Sequence, residues 1–268
     1  MKNSPTQTIS TFFKKGFHIR AQRPGLPEDG PLTPWLKAMS AAGDSGLPLS
    51  PVGAEVARLF GLRKTRVVYM HTAGSGITPW RRLIVLDADY RDPAASTSPA
   101  KIGLVSHELT HLLQRDLRPN QYWPGGGLRP SFSRRWVGDS TSFMEVVAYL
   151  VGWTVEYDLT AARANDASLP QEARQRSSRA LPGLRDRLAT LSGPDVHNAV
   201  RLVLDIYPDN AVYRQNYRLE SRLSDGRIPP GSWHAWLGQM GFARAAVDHI
   251  WVLSAQGRVQ QIDPVAFA

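Results

Sequence analysis

The chain contains no cysteine. Disulfide scaffolding and thiolate ligation of a metal are thereby excluded, although a cysteine-free composition fits any redox compartment. No apolar run reaches the roughly 18 residues of a membrane-spanning helix, and none is predicted. Near the amino terminus Thr11-Phe12-Phe13 is cut short by Lys14 and Lys15, which leaves no apolar core for a classical secretion signal and points to the cytoplasm. Internal repeats are absent. Acidic residues are in deficit, 23 against 32 Lys plus Arg, for a formal net charge of +9. That balance permits contact with nucleic acid, and Arg174, Arg176 and Arg179 form its densest cluster. A basic run is more often a solvated face, so nucleic acid is not the favoured partner.

What is present suffices for a sizeable core: 42% of the 268 residues are hydrophobic. Residues 22–53 are rich in Pro and Gly and read as an irregular, extended stretch, so residues 1–53 are expected to form an arm that could cover a cleft. Residues 54–160 read as an α+β core and residues 161–268 as a mainly helical region packed on it. In the core, the runs 66–71 and 82–87 are β-branched and aliphatic and flank the glycine-rich 72–76. They predict strands of one hairpin or small sheet. Residues 164–170 read as a linker, and a helix carrying His197 is predicted from 195 to 206. Near the carboxyl end, 249–253 and 258–262 flank Ala255-Gln256-Gly257 and predict a small hairpin, with Trp233, Trp236 and Trp251 as core aromatics.

The densest chemical signal is His107-Glu108-Leu109-Thr110-His111, an HExxH pattern. At about 100° per residue, positions 107 and 111 stack on one helical face, so two imidazoles can grip one metal ion with Glu108 beside it. With only seven histidines in the chain, the context decides how much weight the pattern bears. Ser98 followed by Pro99 is a helix start, Leu104, Val105, Leu109, Leu112 and Leu113 recur at helical spacing, and Arg118-Pro119 is a stop. The motif therefore falls in mid-helix.

A catalytic zinc site takes a third protein ligand and leaves one position open for water. Gln114 and Leu117 stand where the longer HExxHxxGxxH pattern needs Gly and His, so a third histidine six residues on is excluded. Four glutamates follow His111: Glu145, Glu156, Glu172 and Glu220. Glu145 interrupts the otherwise apolar run 142–153, and burying an unpaired carboxylate costs several kcal/mol, so it needs a partner such as a divalent metal. Ala148 and Gly152 follow on the same face and would let its helix approach the first closely. Glu156 lies about 16 Å further along the axis and cannot share an ion with Glu145. Other readings stay open: Glu145 as a structural carboxylate paired with Arg129, Arg134 or Arg135, Asp139 or Asp116 as ligand, and Asp116 as acceptor for a ligating imidazole.

His107-Glu108-x-x-His111 followed by Glu145 in a Glu-x-x-Ala-Tyr helix resembles the gluzincin branch of the zincin metallopeptidases. The surrounding Ser-His-Glu-Leu-Thr-His-Leu-Leu-Gln-Arg resembles bacterial HExxH proteins with a minimal gluzincin core. Tyr149 stands where thermolysin-type members often carry an acidic residue. The resemblance implies a zincin-like core, with a small sheet before the HExxH helix and a second helix bringing Glu145. It also implies Zn2+ held by His107, His111 and Glu145, and peptide-bond hydrolysis by a zinc-activated water with Glu108 as general base. Tyr149, Tyr157, Tyr122 and His197 are candidates to stabilise the oxyanion. The strand before the helix would be a sheet edge along which a peptide or protein substrate pairs, and residues 123–128 a loop near the cleft. Two rivals remain: a non-catalytic zincin-fold regulatory or partner-binding module, and a nucleic-acid-associated stress-response protease.

Overall fold

The structure, a computed structural model, describes residues 28–61, 65–71, 76–78, 82–117, 141–193, 196–206 and 232–261. It is an α+β arrangement, mainly helical. Strands β1 (Glu28–Gly30), β2 (Arg66–Met70), β3 (Gly76–Thr78) and β4 (Leu83–Asp87) form a four-stranded sheet in the order β1-β2-β4-β3. β2 and β4 are parallel, with Arg66 opposite Leu83 and Met70 opposite Asp87, while β1 and β3 add antiparallel edges. The two predicted strands are thus neighbours in a small sheet and not a hairpin. The chain reverses twice, through β3, and so returns along β4 in the direction of β2. β4 is also internal, with β3 on the edge, so the strand that leads towards the HExxH helix is not the free edge expected of it.

Side-chain alternation explains why these strands read as continuous apolar runs. Val67, Tyr69, Ile84 and Leu86 enter the main core, and Val68, Met70, Leu83 and Val85 form a second cluster on the opposite face. A parallel pair buried on both faces has no polar side to show.

The stretch expected to be irregular is partly ordered. Helix α1 (Thr33–Met39) buries Trp35 and Met39, and the Trp35 indole N–H donates to Tyr69 Oη at 3.1 Å, tying α1 to β2. Leu32, Trp35 and Met39 had helical spacing within a Pro- and Gly-rich composition that concealed it. Helix α2 (Pro51–Gly61) starts on Ser50, whose Oγ accepts from the Gly53 N–H at 3.1 Å and donates to Asp158 Oδ2 at 2.6 Å. His249 Nε2 meets the other oxygen of Asp158 at 2.9 Å. Ser50 thus gives its proton to the carboxylate and not to the imidazole, which makes this a structural tie and not a nucleophile relay.

After β4, two 3-10 turns whose first amides are capped by Asp87 and Asp92 lead into helix α3 (Pro99–Leu117). Helices α4 (Thr141–Asn165), α5 (Gln171–Ser192), α6 (Val196–Ile206), α7 (Ser232–Gln239) and α8 (Arg244–Gln261) follow. α8 replaces the predicted carboxyl-terminal hairpin. Ala246, Val247, Ile250 and Leu253 are buried at spacings of one, three and three, a helical pattern that Gly257 interrupts only weakly. Trp233 and Trp236 are core residues, whereas Trp251 is 43% exposed. One apolar cluster runs from Leu32 to Leu253 and draws on all three expected regions.

Among the described elements α3 and α4 make the most extensive contact. They meet at Gly103 and Gly152: a Cβ on either would lie 2.7 Å from the other's carbonyl oxygen, and one on Gly152 would also lie 3.0 Å from His107 Cβ. Backbone cannot yield as a flexible side chain can, so Gly152→Ala should force the helices apart at a cost of about 1–3 kcal/mol. Urea unfolding checks this, and an unchanged midpoint would contradict the packing described.

Candidate metal centre

α3 carries the HExxH residues at its most enclosed stretch: His107, Glu108 and His111 are all buried. The buried hydroxyls beside them are satisfied within the helix, Ser106 donating to the Ile102 carbonyl at 2.9 Å and Thr110 to that of Ser106 at 2.8 Å. α4 brings Glu145 from the opposite side, also buried. His107 Nε2 and His111 Nε2 are 3.0 Å apart, and Glu145 Oε2 lies 3.5 Å from the first and 3.3 Å from the second. These three residues form a buried group that could hold a metal ion.

Gln114 fixes the orientation of one imidazole. It spends its amide N–H on the Met144 carbonyl at 2.8 Å, so its Oε1 is left to accept from His111 Nδ1 at 2.8 Å. With the proton on Nδ1, the Nε2 lone pair is directed at the group. The same side chain links α3 to the residue just before Glu145. Sequence reasoning missed Gln114 in this role; its one signal was a polar side chain three residues from His111 on the buried face. Asp116, considered for that part, is instead paired with Arg82 and Arg115 at the exposed end of α3.

Electrostatics follow from burial. Desolvation by itself would depress the His111 pKa, but Glu145, then Glu108 and the Gln114 bond, outweigh it and push it up to about 9. That shift favours a second proton on His111, at Nε2, when no metal is held, a positive charge that would offset the buried carboxylate.

A cleft of about 500 Å³ opens against His107. Tyr149 lines it with its ring 4.2 Å from that of His107, so this imidazole has an aromatic neighbour. Tyr90 lines it too, its phenol pushed up to about 12 by burial, then by Glu108 and other carboxylates including Glu156. Nothing in the sequence singled out Tyr90, which sits in a 3-10 turn without a motif. Tyr157 is used elsewhere, accepting from Arg185 Nη2 at 2.5 Å. Glu156 lines the cleft but takes no part in the His/His/Glu group. Tyr122, Asp139, Arg129, Arg134, Arg135 and the loop 123–128 lie outside the described residues, as does the side chain of His197.

No protein family, curated protein or solved structure matches the chain. Among the described residues no helix is long and apolar enough to cross a membrane.

Two outcomes follow from the geometry. Gln114→Leu should lower metal affinity about 10- to 100-fold in a chelator competition, and unchanged affinity would contradict its orienting role. Because a metal must displace the His111 proton, binding at pH 7.5 should release close to one proton, and the release should fade as pH rises through about 9. Calorimetry in buffers of different ionisation enthalpy reads this directly; no release at pH 7.5 would contradict the assignment.

Proposed function

We propose that the protein is a zinc-dependent metallopeptidase with a gluzincin-like centre, in which His107, His111 and Glu145 ligate zinc and Glu108 is the general base. The observation that carries this reading is the triangle of ligand atoms, with sides of 3.0, 3.3 and 3.5 Å. A tetrahedral ion with bonds of about 2.1 Å has ligand atoms about 3.4 Å apart. Two imidazoles and one carboxylate suit zinc better than magnesium or calcium, which favour sets dominated by oxygen. The order of elements supports a zincin-like core: a sheet, then the HExxH helix, then the helix carrying Glu145.

Bound zinc would supply a Lewis acid that makes a water acidic near neutral pH and polarises the scissile carbonyl. Glu108, buried next to His107, is suited to take a proton from the attacking water and deliver it to the leaving amine. Tyr149 and Tyr90 face the same cleft, and a phenol that keeps its proton up to about pH 12 can donate to the developing oxyanion. A regulatory module without catalysis would have no use for Glu108 at this position. In the basic cluster Arg176 pairs with Glu172, and further along the same helix Arg185 binds Tyr157 and Arg187 stacks over Trp153, so part of the charge of α5 is already engaged.

The reading is tested with Glu108→Gln. Wild type and variant should each contain about one zinc per chain by native mass spectrometry. Hydrolysis of a mixed peptide pool should fall about 100- to 10,000-fold in the variant. A variant as active as wild type would refute the base, and a wild type without zinc would refute the site.

A further inference from the structure

Glu156 is a carboxylate that the proposed reaction leaves without a task. It projects from α4 into the cleft, packed where a Cβ on Gly103 would approach its own Cβ at 3.0 Å. Gly103 lies one turn of α3 before His107, so Glu156 meets α3 about 6 Å along its axis from the His107 backbone.

The two cations of the cleft lie against its aromatic rings and make no ion pair with Glu156 among the described residues. Lys101 Nζ donates to the Asp89 carbonyl at 3.2 Å and lies 4.8 Å from the Tyr90 ring centre, and Arg187 lies 5.3 Å from that of Trp153. Among the described residues no hydrogen bond or ion pair reaches the Glu156 carboxylate. Burial raises its pKa, and the charge of Arg187 offsets that only in part. Around it the rings of Tyr90 and Trp153 supply walls suited to an aliphatic stem or to a cation.

We propose that Glu156 is the recognition point for a cationic group of the peptide substrate, bound in the cleft that adjoins the metal group. The group is an ammonium or guanidinium, supplied by the free amino terminus or by a Lys or Arg side chain. Either would give a partly desolvated carboxylate, which the charge of Arg187 compensates only in part, a direct charge-assisted contact. This inference rests on the metallopeptidase reading for its substrate, but the binding it describes is measured without turnover.

The probe is a set of synthetic hexapeptides bound to zinc-loaded Glu108→Gln protein. One pair differs by Lys against norleucine, and a second by a free against an acetylated amino terminus. The cationic member of at least one pair should bind about 10-fold or more tightly, and the pair that discriminates identifies the source of the charge. Adding Glu156→Gln should erase the difference while zinc content and the thermal midpoint hold. Equal binding within both pairs, or a preference that survives Glu156→Gln, overturns the proposal. Should that variant fail to fold, Glu156→Asp and the pairs on the parent protein still decide it. Wild-type hydrolysis of the same peptides separates the two claims. Cation-dependent binding without cleavage sinks the peptidase reading and leaves the Glu156 site, and cleavage indifferent to charge sinks the Glu156 site alone.

Discussion

Without side chains at 103 and 152, the backbones of α3 and α4 come close enough for a Cβ on either glycine to collide with the opposite carbonyl. That approach sets the spacing between two helices whose inward faces carry His107, His111 and Glu145. Because interiors are close-packed, a spacing fixed at one turn is transmitted to the next. Gln114, reaching from His111 to the Met144 carbonyl, repeats the link on the far side of the ligands. The imidazoles and the carboxylate are therefore held between two points of inter-helix contact.

A carboxylate as deeply buried as Glu145 is tolerated only where positive charge or hydrogen bonds compensate it. In this fold a proton on His111 can compensate it, and a metal ion held among the three residues could do the same. The same constraint bears on Glu156, where no compensating group is within bonding distance among the described residues. Two carboxylates on α4 thus stand in opposite conditions, the buried Glu145 enclosed by imidazoles and the half-buried Glu156 open to the cleft.

The His107, His111 and Glu145 group was legible because its signals are local. His107 and His111 share a helical face by spacing alone, and a glutamate inside an apolar run announces an unmet need for a partner. Gln114 and Tyr90 were not legible, since their contacts with His111 and the cleft arise only once elements distant in sequence meet. Strand positions could be read, but the parallel pairing of β2 and β4 could not, because the intervening β3 is only three residues long. In the carboxyl-terminal region, β-branched residues flanking Gly257 imitated a hairpin. The helical spacing of Ala246, Ile250 and Leu253 against the core prevailed. In the stretch before residue 53, Pro and Gly content masked a short helix anchored by Trp35.

The account turns on two imidazoles and one carboxylate sharing a single ion. X-ray absorption at the zinc edge of reconstituted protein measures this most directly. The predicted result is a four-coordinate shell of nitrogen and oxygen at about 2.0–2.1 Å with two imidazole ligands, reduced to one imidazole in His111→Ala. A shell without two imidazoles, or one unchanged by that substitution, would contradict the account.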